Sequence, residues 1–204
     1  MRHDPWLERW LPLLRERAGG RPIVELGCGF GADTVTLCNA GLDVLAFDVS
    51  EAAIGVARTR APGATFETCD VRAVVARDEL AGTGAVLASL SLHYFPWHET
   101  VLLFDRIHRL LRPGGLLLCR VNSTHDHRFG ASGHPQIEPN FYSVKGEPKR
   151  FFDHETIERL LARGWHALSV EHRVTSKYVL PKLVWEVACE PRAAAVDPAG
   201  GESS

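Results

Sequence analysis

Glu25-Leu26-Gly27-Cys28-Gly29-Phe30-Gly31-Ala32-Asp33 is the stretch from which the rest of the chain is read. The run from Arg21 into Gly27 is short, apolar and closed by glycine, so it reads as a buried strand leaving into a turn. Glycines at alternate positions let the backbone turn tightly and approach a ligand without Cβ clashes. The helix after them offers free N–H groups and the positive end of its dipole. A phosphate and a carboxylate suit that geometry equally well. Gly27-x-Gly29-x-x-Ala32 also satisfies the relaxed dinucleotide fingerprint, with Asp48 as its ribose-binding acid, so the loop alone does not choose between ligands.

Outward from the loop, strand and helix patterns alternate. Residues 32–39 read as a helix closed by Gly41, 43–47 as a strand, and 50–60 as a helix capped by Ser50. Residues 65–68 form a third strand, 71–80 a weaker helix, 86–92 a fully buried fourth strand, and 97–111 a helix. Arg112-Pro-Gly-Gly breaks the chain before a fifth strand at 116–121. Right-handed crossovers between such strands predict an α/β fold: a Rossmann-like, mostly parallel sheet covered by helices on both faces. Asp153 caps a further helix to Ala162, and apolar runs at 166–174 and 183–189 predict a terminal antiparallel strand pair. Before the sheet, Asp4-Pro5 reads as a helix start, and Pro12 is expected to kink that helix.

A single domain over residues 1–190 is expected, with a helical cap at 1–19, a long polar substrate-side connection at 122–150 and a disordered tail at 191–204. The chain has 204 residues and a formal charge of −2, too short for a separate substrate domain and without the cationic field that draws proteins onto nucleic acid. Five scattered cysteines with no C-x-x-C pair fit reduced thiols in a cytoplasmic protein better than a disulfide framework or a zinc site, and no metal is expected. The charged N-terminal segment is neither signal nor anchor, and residues 80–98 hold too many polar and breaker residues to span a membrane.

Glu25-x-Gly27-x-Gly29-x-Gly31 resembles motif I of class I S-adenosylmethionine-dependent methyltransferases, and three more stations match in order: Asp48 in Phe-Asp-Val-Ser, Asp70 in Thr-Cys-Asp-Val, and Leu111-Arg-Pro-Gly-Gly115. The resemblance covers residues 21–121. It implies that S-adenosylmethionine is bound, and S-adenosylhomocysteine released, by Glu25, Gly27, Cys28, Gly29, Gly31, Asp48, Val49, Asp70, Val71, Ser89 and Leu90. Within that set the family assigns Asp48 to the ribose hydroxyls, Asp70 and the Val71 amide to adenine, Glu25 indirectly to the methionine end, and backbone near Ser89 and Leu90 to the amino group. Gly84 departs from the family, which often carries an acid near the start of the fourth strand.

Open α/β sheets place ligands beyond the carboxyl ends of their strands, so acceptor-side candidates are His93 and Tyr94 as catalytic residues, with Phe95, Trp97, Arg120, Asn122 and Tyr142 lining the substrate. His93 is the side chain there whose ordinary titration range suits a proton acceptor. His125-Asp-His127 is two histidines without a third ligand, a weak metal pattern. Trp6 and Trp10 are expected to close over the cofactor as a lid. The Asn/Asp-Pro-Pro-Tyr/Phe motif of amino-methylating nucleic-acid enzymes is missing, which leaves a small-molecule acceptor. A nicotinamide-dependent oxidoreductase and a non-catalytic cofactor-binding module are the other readings, and the oligomeric state is left open.

Overall fold

The computed structural model describes residues 4–175 and 180–192. Its main sheet runs in the order β3-β2-β1-β4-β5-β10-β9, built from β1 (Ile23–Leu26), β2 (Val44–Asp48), β3 (Thr65–Thr68), β4 (Thr83–Ser89), β5 (Leu111–Asn122), β9 (Trp165–Thr175) and β10 (Lys182–Pro191). The first five strands pair in parallel, and β10 lies antiparallel to both β5 and β9. This is the mostly parallel α/β sheet with a terminal antiparallel pair that the alternating pattern predicts.

Strand alternation divides the core. Ala85 and Leu87 face α1 (Leu11–Ala18), α2 (Ala32–Asn39) and α3 (Glu51–Arg60), while Val86 and Ala88 face α5 (Trp97–Leu110) and α6 (His154–Leu161). All seven residues of β4 are buried, as befits a central parallel strand covered on both sides. Gly84 has a packing reason: a Cβ there would stand 2.1 Å from the carbonyl oxygen of Arg17, so the end of α1 rests directly on the β4 backbone. Ser50 and Asp153 cap α3 and α6 by accepting from the N–H of Ala53 (3.2 Å) and Thr156 (2.8 Å).

Several expectations are corrected. The helix expected at 71–80 is one α turn (α4, Val71–Val74) and a separate 3-10 turn at Asp78–Leu80. The fourth strand begins three residues early, at Thr83, and also ends three residues early, because Leu90 takes a left-handed conformation (φ 61°) that leaves the ladder. Leu90 and Leu92 are buried without being in a strand, which is why apolarity alone overextended it. Pro12 sits in the first turn of α1, where no intrahelical N–H is needed, so it starts a helix after the 3-10 stretch Pro5–Trp10 instead of kinking one.

The connection at 122–150 is also folded. It carries a second antiparallel sheet, β6 (Gln136–Glu138), β7 (Phe141–Val144) and β8 (Glu147–Arg150), whose turns place Asn140 and Lys145 at positive φ. Arg150 fastens this sheet over the exit of β4: its N–H donates to His93 O (2.7 Å), its Nε donates to Phe95 O (3.1 Å), and its guanidinium pairs with Glu138. β10 reaches Pro191, one residue into the expected tail, and the rest of that tail from residue 193 lies outside the described residues.

Candidate active site

The glycine loop is shaped by three different constraints. Gly27 (φ 74°) has no room for a side chain, since its Cβ would lie 2.3 Å from Cβ of Ser91. Gly31 (φ 74°) presses on Ala57 at 3.0 Å. Gly29 (φ 54°) has nothing within 4 Å of its would-be Cβ, so there the bare backbone faces open space. The N–H groups of Gly27 and Cys28 both donate to Phe47 O (2.8 and 2.9 Å), tying the loop to β2. Glu25, buried beneath it, accepts from Thr34 Oγ1 of α2 at 2.6 Å. The Cys28 thiol is pushed up by burial and by the neighbouring carboxylates of Glu25 and Asp48, so it is a packed thiol and not a thiolate.

Asp48 stands at the end of β2 with one oxygen on the Gly29 N–H (2.7 Å) and the other on the Ser50 N–H (2.9 Å). Each carboxylate oxygen keeps accepting capacity toward a ligand hydroxyl. Beside it Val49 is 74% exposed and Phe30 48%, two apolar side chains open to solvent next to a fixed carboxylate, which fits a nucleoside with a diol and a flat base. Asp70 caps α4 through the Arg72 N–H (2.8 Å) and is gripped by the Arg72 guanidinium (3.0 and 2.7 Å), whose hydrogen bonds hold its carboxyl below the ordinary range. Arg72 continues to Glu99 (3.3 Å) and lies over the Phe95 ring at 5.6 Å. Val71 is buried behind Asp70.

At the exit of β4, Ser91 Oγ donates to Leu26 O (2.6 Å), locking the exit to the glycine loop. Ser89 Oγ accepts from Arg120 (2.9 and 3.1 Å), and Leu90 N–H donates to Arg120 O (2.9 Å). Arg120, expected to meet a substrate, is 1% exposed and already engaged: it pairs with Asp4 Oδ2 (2.6 Å) and stacks on Trp6 at 3.9 Å. Asp4 accordingly does not cap a helix; its carboxylate is spent on Arg120 and on the Thr175 hydroxyl (2.6 Å). Trp6 Nε1 donates to Asp33 Oδ1 in the first turn of α2 (2.9 Å), whereas Trp10 Nε1 goes to Glu186 on β10 (2.8 Å).

His93 is buried, and burial together with the nearby Lys182 and Lys149 ammonium groups lowers its pKa well below the ordinary range, so the ring is neutral. Tyr94 is 41% exposed with its ring 4.2 Å from that of His93. Asn122 is fully buried and donates Nδ2 to Arg150 O (3.3 Å). Trp97 donates its N–H to Glu138 (3.0 Å), with the Arg159 guanidinium 4.9 Å from its ring. Tyr142 packs on Phe151 in the small core beneath β7, apart from that cluster. Among the described residues no group of three His, Cys, Asp or Glu side chains is arranged to hold a metal; His125 and His127 turn to Ser123 and Ser132 respectively. Arg72, Asp33 and Lys182 were not legible as site residues, because each acts through a partner distant in sequence or through a short side-chain contact with no pattern of its own.

A family model described as a methyltransferase domain matches residues 23–115. The chain is 35% identical over 109 residues to trans-aconitate 2-methyltransferase of Deinococcus radiodurans, covering 52% of this chain and 39% of that protein. It spans about half the length of the curated relatives it matches. Its structure is similar to an S-adenosylmethionine-dependent methyltransferase from Mesorhizobium loti (25% identity, TM-score 0.64, covering 87% of this chain and 95% of that one). It also resembles 1,6-didemethyltoxoflavin-N1-methyltransferase of Burkholderia thailandensis, solved with S-adenosylhomocysteine (20% identity, TM-score 0.66, covering 91% and 78%).

Proposed function

We propose that the chain is a class I S-adenosylmethionine-dependent methyltransferase and that it methylates a small-molecule acceptor held beyond the ends of β4 and β5. The observation that carries this reading is Gly29: its N–H is bound to Asp48 at 2.7 Å while its Cβ direction is open, a bare backbone beside a fixed acid. On this reading the backbone from Gly27 to Gly31 passes the methionine end, with Cys28 packed below. Asp48 takes the ribose hydroxyls, Val49 and Phe30 flank the base, Asp70 and the Val71 N–H meet its edge, and Ser89 and Leu90 lie at the amino group.

When bound, the cofactor supplies a methyl group on a positively charged sulfur, already electrophilic. The protein then has to hold the acceptor atom in line and keep water away. The small sheet pinned by Arg150 and the N-terminal segment pinned by Arg120 are the elements placed to do so. A small acceptor is favoured because both elements fold over the β4 and β5 exits, and a chain of formal charge −2 has no net cationic charge to draw it onto a polyanion. Five free cysteines support a cytoplasmic setting, and no described helix is long and apolar enough to cross a membrane.

Calorimetry with S-adenosylhomocysteine and NADH tests the cofactor. The former is expected to bind, and Asp48→Ala to weaken it by about ten-fold or more, the worth of a charged hydrogen-bonding partner. Binding of NADH alone overturns the reading. Binding without methyl transfer to any of a phenol, amine and thiol panel favours a regulatory module instead.

A further inference from the structure

β9 ends the main sheet, and among the described residues its outer side has no strand beside it. At 11 residues it is about twice the ordinary strand length. Toward its end it faces solvent: His172 and Arg173 are exposed, and Val174 is 63% exposed. An open edge of that length presents free N–H and C=O groups to any extended chain, and charged side chains are the usual means of keeping it from pairing.

On β9 the charges select one partner while they exclude others. A two-fold axis perpendicular to the sheet brings a second copy to this edge antiparallel and keeps each face on its own side. The residue on the axis then faces its own counterpart, and opposed side chains share a face. Centring on Glu171 sets two carboxylates against each other, and centring on Arg173 sets two guanidiniums against each other. Centring on Val170 leaves both charges opposite uncharged residues, Ser169 and Ala167. Centring on His172 crosses them, so that Glu171 opposes Arg173 of the partner subunit and Arg173 opposes Glu171 of the partner subunit. In the same register Val174 opposes Val170 of the partner subunit.

The side chains are disposed for that crossing. Glu171 and Arg173 share a face and pair along the strand, with 33% and 50% of their side chains exposed. Across the axis the four groups close into a ring of alternating sign, each guanidinium between two carboxylates, which its five donors can serve. Arg9 also donates to Glu171 (3.1 and 3.3 Å), but its own charge is balanced by Glu186. His172 lies on the opposite face, its ring 4.8 Å from that of Trp185 and its Nε2 2.8 Å from Ser123 Oγ. Partial burial and the neighbouring His125 lower its pKa, so two neutral rings meet on the axis at pH 7.

We propose that β9 is a homodimer interface, pairing antiparallel with β9 of a second copy about an axis at His172, so that two seven-stranded sheets join into one. Nothing in this pairing depends on the cofactor or the acceptor.

Sedimentation velocity on the full chain at pH 7 tests it. A dimer is expected at about 100 μM. Arg173→Glu sets carboxylates against carboxylates and is expected to weaken the dimer at least about ten-fold, as is Glu171→Arg with guanidiniums. An equimolar mixture of the two variants restores opposite charges across the edge, so it is expected to form a heterodimer at a concentration where each alone is chiefly monomeric. A wild-type monomer leaves the edge to a different occupant and overturns the proposal. A dimer that tolerates Arg173→Glu overturns it too, as does a mixture of folded variants that fails to associate. Glu171 also holds Arg9, so if Glu171→Arg unfolds, the wild-type and Arg173→Glu measurements decide the matter alone.

Discussion

Gly27 shows how much one residue can carry. Its positive φ would be tolerated at some cost by another residue, but the 2.3 Å approach to Ser91 would not, because Ser91 is itself tied to Leu26 O. Gly27→Ala is expected to destabilise the fold by roughly 2–4 kcal/mol and to displace the loop, read as a lowered denaturation midpoint together with weaker S-adenosylhomocysteine binding. Gly29→Ala strains only the backbone, at roughly 1 kcal/mol, so its loss should fall more on ligand affinity than on the midpoint. Equal effects of the two substitutions on both measurements would contradict this division. The motif Glu25 to Asp33 was legible because glycine is the residue that backbone geometry demands. Which glycine answers to Ser91 and which to open space was not, since both look alike in the chain.

Among the elements, the N-terminal segment and the small sheet cover the ends of the strands, and they are held by buried arginines. Trp6 reaches Asp33 at the first turn of α2 and lies under Arg120, whereas Trp10 reaches Glu186 on β10. The two tryptophans therefore have separate roles, where the sequence treats them as one lid. Trp6→Ala is expected to weaken S-adenosylhomocysteine binding by about ten-fold by freeing the start of α2, and Trp10→Ala to lower thermal stability with little change in that affinity. Titration calorimetry on both variants, with melting curves, checks the separation. Residues 122–150 looked like a loop because their strands are three or four residues long and half polar. Their order depends on Arg150 meeting His93, Phe95 and Glu138, contacts between segments far apart in the chain.

At the scale of the whole molecule, Lys182 is a buried charge, 7% exposed on β10 near Asp126 and the cations Arg120 and Lys149. Burial, chiefly, brings its pKa down to about 8 from 10.5. The folded protein then holds that proton less tightly than the unfolded chain does. The penalty is complete below pH 8 and is relieved as pH rises toward 10.5. Relative to Lys182→Met, wild-type stability is expected to improve by on the order of 3 kcal/mol across that window, at about 1.4 kcal/mol per pH unit. Urea denaturation of both proteins at pH 7 and pH 10.5 measures the change, and a constant difference between them would refute it.

The alternation of apolar runs with glycine and proline breaks determined the order of strands and helices, because burial of a parallel sheet and the turn chemistry between its elements are local demands. Where Asp48 and Asp70 stand was legible for the same reason: they sit at or just beyond the ends of strands that the pattern already located. The surroundings of His93 and Asn122 were decided by tertiary structure alone. His93 becomes neutral and Asn122 loses a partner only when residues 120–122, 150 and 182–184 are brought together. Desolvation and hydrogen-bond satisfaction depend on everything packed around a group, so no stretch of sequence carries them.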